Sequence, residues 1–118
     1  MPSISAALHE LLGERDLPLE SVLQRHFTDD YRQSTGGEWI DRAVFAEQMT
    51  QLRAFVDHVD IEVVAEVAQG SAYAERHIIR VTQPDGSVLA QEAFVFASVA
   101  DDGRFKSLEE LVRPVPAS

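Results

Sequence analysis

Two periods of hydrophobicity divide the chain. In the first half, apolar residues return every three to four positions. Ile4, Leu8, Leu11 and Leu12 stand at i, i+4, i+7 and i+8, one stripe of a helix. Ser3 or Ser5 suits its N-cap, because a short side-chain oxygen can accept from a free N–H of the first turn. The stretch from Gly13 through Pro18 ends it. A second, shorter helix carries Val22, Leu23, His26 and Phe27 on one side. The following TDDYRQSTGGEW reads as a short extended segment that turns at Gly36-Gly37. Asp41 is the expected N-cap of a third helix, where Phe45, Met49, Leu52, Phe55 and Val56 again keep a 3.6-residue period.

From about residue 59 the pattern is that of strands. Segments at about 59–68, 71–83, 88–99 and 104–113 are separated by Gln69-Gly70, Pro84-Asp85-Gly86-Ser87 and Asp101-Asp102-Gly103, all turn formers. Connections this short join antiparallel neighbours, so a meander is predicted. Helices first and an antiparallel sheet second make an α+β fold, read as a single domain over residues 1–118. Only the terminal PVPAS reads as loose.

The third long strand raises a question of cover. In QEAFVFASV, residues 91–99, Glu92, Phe94, Phe96 and Ser98 share one face, and Ala93, Val95, Ala97 and Val99 share the other. Both faces are largely apolar, so neither suits open water. A two-residue turn at Asp85-Gly86 sets Phe94 opposite His77 and Val95 opposite Arg76. The same turn at Asp102-Gly103 sets Glu110 opposite Val95 and Leu111 opposite Phe94; at Gln69-Gly70 it sets Arg76 opposite Val63. The first face then holds Ile61, Val63, Ala65, Val67, Ala93, Val95, Ala97, Leu108 and Val112, with Arg76 and Glu110 flanking Val95 in one row. The second mixes Tyr73, His77, Phe94, Phe96 and Leu111 with charged residues. The helices are expected over the first face. A second copy of the chain, forming a homodimer sheet to sheet, is expected over the other.

Composition narrows the function. The chain has 118 residues, 45% of them hydrophobic, enough for one real core. Ten basic against twenty acidic residues give a net charge of −10, which repels phosphate backbones and anionic lipid, so neither nucleic acid nor a membrane is an expected partner. No cysteine is present, which removes disulfides, thiol nucleophiles and thiolate metal sites. No basic segment followed by an apolar run opens the chain, and no apolar run nears the roughly 20 residues that span a bilayer. A cytoplasmic setting is expected.

The helix pair, FTDDYRQSTGG, a third helix and a meander closing in DDGRFKSLEELVRP resemble the nuclear-transport-factor-2-like superfamily, and within it the SnoaL-like (polyketide-cyclase-like) group, over about residues 5–114. The resemblance implies a cone-shaped fold, with three N-terminal helices packed on a curved, mostly antiparallel sheet around a deep apolar pocket. It also implies frequent dimers through the outer sheet face. Polyketide cyclases of this type carry an acid/base carboxylate on the last strand, seven residues past the turn glycine, which here is Glu110. Epoxide hydrolases of the superfamily add an arginine, matched by Arg76, and a second aspartate, where this chain has Ile78. Their water-positioning residues correspond to Gln33 and Thr35. The base, acid and tyrosine of the ketosteroid isomerases fall on Thr35, Val95 and a leucine of the first helix, so that activity is not expected.

The candidate catalytic residues are therefore Glu110 and Arg76. A carboxyl in an apolar pocket has its charged form disfavoured and becomes useful as an acid or base, whereas a paired arginine draws it back. Tyr31, Gln33, Thr35 and Trp39 are the candidate ligand-binding residues. His77 and Glu62, expected on the outer face, read as an interface contact, and Asp29-Asp30 as a solvated turn. His9, His26, His58 and His77 show no spacing that implies a metal site. Two functions remain. One is a small-molecule pocket doing cofactor-free acid/base chemistry on an apolar ligand, as a hydrolase, isomerase or cyclase. The other is a non-catalytic ligand-binding or dimerisation module with Arg76–Glu110 as a structural pair.

Overall fold

The computed structural model describes residues 2–117, so Met1 and the final residue of the PVPAS tail, Ser118, lie outside it. Helix α1, Ile4–Leu8, starts where Ser3 accepts from the Ala6 N–H at 3.2 Å, and it runs on as a π-helical turn, His9–Gly13. Helix α2 spans Leu19–His26 and leads directly into β1, Phe27–Thr35. Phe27 is thus the first residue of a strand rather than the last of a helix. Strand β2, Glu38–Asp41, folds back across Gly36-Gly37, and Asp41 caps α3, Arg42–Phe55, by accepting from the Val44 N–H at 2.9 Å. Strands β3, His58–Gln69, β4, Ala72–Thr82, β5, Val88–Val99, and β6, Phe105–Pro114, complete a six-stranded sheet in the order β2-β1-β6-β5-β4-β3. Only β1 and β6 run parallel.

One face of this curved, open sheet packs under the helices. Ala93, Val95 and Ala97 of β5 and Leu108 of β6 are buried there with Leu11, Val22, Leu23, Phe45 and Met49 from above. Phe27 is the hub, with ring centres 4.6 Å from Tyr31, 5.2 Å from Phe45 and 6.1 Å from Phe105. Arg53 of α3 donates at 2.6 Å to the carbonyl oxygen of Leu11, an acceptor that the end of the first helix leaves free, and at 2.7 Å to that of Leu17 in the loop that follows.

The register differs from the expected one in two of the three hairpins. Between β4 and β5 the loop is three residues, Pro84-Asp85-Gly86, closed by Gln83 and Ser87, with Gly86 at φ 88°. Proline suits the second position of a type I turn and glycine the left-handed residue after it, which makes a three-residue hairpin. Arg76 therefore pairs with Phe94, and Glu75 with Val95, one step from the expected pairing. This exchanges the faces of β4: Tyr73, Glu75 and His77 point under the helices, while Arg76 and Ile78 point away. Between β3 and β4 the turn is Gly70-Ser71, and a bulge at Val64 shifts the ladder again, so Ala65 meets Arg76 while Val63 meets His77. Ala65 and Val67 thus leave the helix side. The β5–β6 pairing is as expected, Val95 with Glu110 and Phe94 with Leu111. It arises from a three-residue turn at Asp101–Gly103 offset by a bulge at Lys106.

Candidate functional site

Between the helices and the sheet lies a cavity of about 240 Å³. Its walls are mainly apolar, including Ile4, Leu8, Phe45, Met49, Ile79 and Val112. Into it come the polar side chains of Tyr31, Gln33, Thr35, Gln48, His77, Gln91 and Glu110. Alternation along β1 brings Tyr31, Gln33 and Thr35 to one side, and the parallel pairing of β1 with β6 sets Thr35 beside Glu110.

Burial pushes the Glu110 carboxyl above the usual carboxylate range, against the opposing pull of the Thr35 hydroxyl and of His77. Thr35 donates to Glu110 Oε1 at 2.9 Å, which leaves Oε2 without a protein donor among the described contacts. Tyr31 donates to Gln33 Oε1 at 2.8 Å, so the Gln33 amide N–H groups remain available to the cavity. Burial and the neighbouring Glu110 charge raise the Tyr31 pKa, which keeps the phenol protonated.

A second carboxylate lies across Val95 in the same cross-strand row as Glu110. This is Glu75, 3% exposed. Burial pushes its pKa up, but hydrogen bonds from His77, Ser5 and Tyr73 outweigh burial and hold it below the ordinary value. Ser5 Oγ donates to it at 2.6 Å and the Ser5 N–H at 3.2 Å. His77 Nδ1 lies 2.6 Å from Glu75 Oε2. An ionised carboxylate only accepts, so Nδ1 carries the proton of this bond and Nε2 is the nitrogen left for the cavity.

Four of the six expected site residues, Glu110, Tyr31, Gln33 and Thr35, are brought together at this cavity. Arg76 is not. It lies on the opposite face, where its Nη2 is 2.6 Å and its Nε 2.8 Å from Glu92 Oε2, and Arg113 donates to Glu92 Oε1 at 2.6 Å. The three-residue β4–β5 turn is the reason, and it removes the expected Arg76–Glu110 pair. Trp39 stands on edge strand β2, 45% exposed, with the Arg32 guanidinium 4.3 Å above its ring, and does not line the cavity. His77 was expected outside and opposite Glu62; it is buried, and Glu62 faces Ile78 instead. The expectations missed Glu75 and His77 as site residues. The signal for them was the Pro-Asp-Gly turn, whose three-residue form turns Tyr73, Glu75 and His77 inward together. Among the described residues no group of three His, Asp or Glu is arranged as metal ligands.

The outer face carries the larger hollow, about 650 Å³, bordered by Val67, Arg76, Phe94, Phe96 and Leu111. Phe94, Phe96 and Leu111 are 47%, 61% and 66% exposed. It is a broad apolar concavity rather than an enclosed chemical site. Among the described residues no helix is long and apolar enough to cross a membrane.

Neither a family model nor a curated protein matches the sequence. Solved structures match its shape. IdmH from Streptomyces antibioticus, a candidate polyketide cyclase, superposes with a TM-score of 0.72 at 19% identity, over 91% of this chain and 87% of that one. AclR from Streptomyces galilaeus, a candidate hydroxylase, gives 0.72 at 16% identity, over 95% and 79%. An NTF2-like protein of unknown function from Exiguobacterium sp. 255-15 gives 0.69 at 15% identity, over 96% and 98%. The chain has the nuclear-transport-factor-2-like fold, as the resemblance implied.

Proposed function

We propose that this protein performs cofactor-free acid/base chemistry on a small apolar carbonyl compound held in the inner cavity. The observation that carries the reading is one apolar cavity that holds two titratable groups in different surroundings. Glu110 is biased toward its neutral, proton-donating form, while His77 is oriented by a carboxylate held ionised. In this reading Glu110 donates a hydrogen bond, or a proton, to the ligand's carbonyl oxygen. His77 Nε2 takes a proton from the adjacent carbon and returns it at the end of the cycle. Gln33 adds a second donor to the oxygen, and the apolar walls select the rest of the molecule. An isomerase or cyclase step needs only this proton traffic. The IdmH likeness supports the reading at the level of fold. A cysteine-free chain suits the reducing cytoplasm, the proposed setting.

The test is hydrogen–deuterium exchange at carbon in a panel of small apolar ketones, followed by NMR in heavy water. Glu110→Gln and His77→Asn are each expected to cut the exchange rate by about 10²-fold or more, with the fold intact by circular dichroism. Arg76→Gln is expected to leave the rate as it is. Equal rates in the parent and Glu110→Gln would remove the enzymatic reading and leave a binding module.

The exposed Phe94, Phe96 and Leu111 support a second component of the proposal, pairing of two copies through the outer face. Light scattering tests it. The parent is expected at twice the chain mass and Phe94→Glu at the single mass. A monomeric parent would end this component.

A further inference from the structure

The cavity mechanism uses His77 and, behind it, Glu75. It leaves unused an arrangement behind Glu75 that reaches the surface. Tyr73 is 1% exposed, and its hydroxyl lies 2.5 Å from Glu75 Oε1 and 2.6 Å from Glu66 Oε2. Glu66 is exposed on β3, directly paired with Glu75 in the ladder. The Ile4 N–H donates to the same phenol oxygen at 3.2 Å. A phenol has one proton to give. Burial and the two carboxylates push the Tyr73 pKa up, so that proton stays on the phenol. Two carboxylates therefore compete for one donor, one of them in water and the other bonded to the cavity histidine.

We propose that Glu66 and Tyr73 are positioning residues that set, from the protein surface, how strongly Glu75 accepts the proton of His77. When Tyr73 donates to Glu75, the negative charge of Glu75 is shared among Tyr73, Ser5 and His77, and its hold on Nδ1–H slackens. When Glu66 takes the Tyr73 proton, Glu75 has one donor fewer and draws harder on Nδ1–H, which makes Nε2 a stronger base. No bond to carbon is made or broken, and the phenol proton moves only between two hydrogen-bond acceptors. The other groups facing this cluster are Ser5 and the Ile4 N–H from α1, Glu110 from β6, whose charge interacts with His77, and Tyr31 from β1 across the same cavity. None of them bridges Glu75 to solvent as Tyr73 and Glu66 do. The inference rests on His77 being the base proposed above, yet its readout needs no substrate.

The readout is the proton NMR resonance of His77 Nδ1–H, which moves downfield as its hydrogen bond strengthens. Glu66→Gln replaces a charged acceptor with a neutral amide, so the phenol proton commits to Glu75 and the resonance should move upfield. Tyr73→Phe removes the donor, so Glu75 should pull harder and the resonance should move downfield. Opposite signs support the device, whereas shifts of one sign in both variants overturn it. Because Tyr73 is buried and its replacement endangers folding, Glu66→Gln, at an exposed site, decides alone: an unmoved resonance there overturns the proposal. Carbon exchange that persists unchanged in Glu110→Gln would end only the enzymatic reading and leaves the His77 resonance shifts to be read as before, so the two failures are distinguishable.

Discussion

Glu92 and Glu110 stand on opposite faces of one sheet, and the contrast between them separates burial from chemistry. Glu92 is only 2% exposed because Arg76 and Arg113 cover it, and the hydrogen bonds they donate, Arg76 first, hold its carboxyl below the usual range. Glu110 has a single neutral donor, Thr35, and apolar surroundings, so burial lifts its pKa instead. Screening from water does not by itself make a carboxyl an acid. The number and charge of its partners decide the direction. The outer face saturates its carboxylate with guanidinium groups beside the exposed rings of Phe94 and Phe96. The inner face leaves its carboxyl with a single hydroxyl donor beside a cavity, which is the feature the proposed chemistry draws on.

The largest effect that tests this division is packing. Phe27, 2% exposed and touching three aromatic rings, should cost about 3–5 kcal/mol on replacement by alanine. Phe96→Ala, at a site 61% exposed, should change stability by no more than about 0.5 kcal/mol at concentrations too low for pairing. Urea unfolding of both variants measures the difference. Similar costs would mean that the outer face is as well packed in a single chain as the inner one.

The periodicities that made the helices and strands legible say little about parity across a turn. Asp41, the stripe Phe45–Met49–Leu52 and the alternation of β5 were readable because each rule acts within one element. The face of β4 was not, because it depends on whether Pro84-Asp85-Gly86 closes as two residues or three, and a change of one residue moves Arg76 out and Glu75 and His77 in. The β3 bulge at Val64 has no such local cue, since neither glycine nor proline marks it. Glu110 came out on the expected side because a bulge at Lys106 offset the third turn residue. The position of Tyr31, Gln33, Thr35 and Glu110 at the cavity was therefore legible through β1 and β6, whereas the inward turn of Glu75 and His77 on β4 was not.

A finer test compares the two carboxylates by their sign with pH. The folded-state pKa of Glu92 is depressed below its ordinary 4.5, so its charge contributes stability that is present above that value and lost as pH falls through the folded pKa. Glu92→Gln should therefore be less stable than the parent at pH 7, where two guanidinium groups lose their shared counter-charge, and the deficit should close in acid. Glu110 behaves oppositely. Its folded pKa lies above the ordinary 4.5, so in strong acid it is protonated in both states and contributes nothing. As pH rises past 4.5 the unfolded chain releases this proton first, and the folded state carries a growing penalty that levels off above the folded pKa. Glu110→Gln keeps the shape and an oxygen for Thr35 but has no charge to bury, so it should match the parent in acid and exceed it at pH 7. Thermal unfolding of the parent and both variants from pH 3 to 8 reads the two signs, a stabilising loss at Glu110 and a destabilising one at Glu92. Such a gain from removing Glu110 would mark a group kept at a cost to stability, as residues retained for chemistry often are. If Glu110→Gln loses stability at neutral pH, the carboxylate is a structural anchor and the contrast between the faces fails.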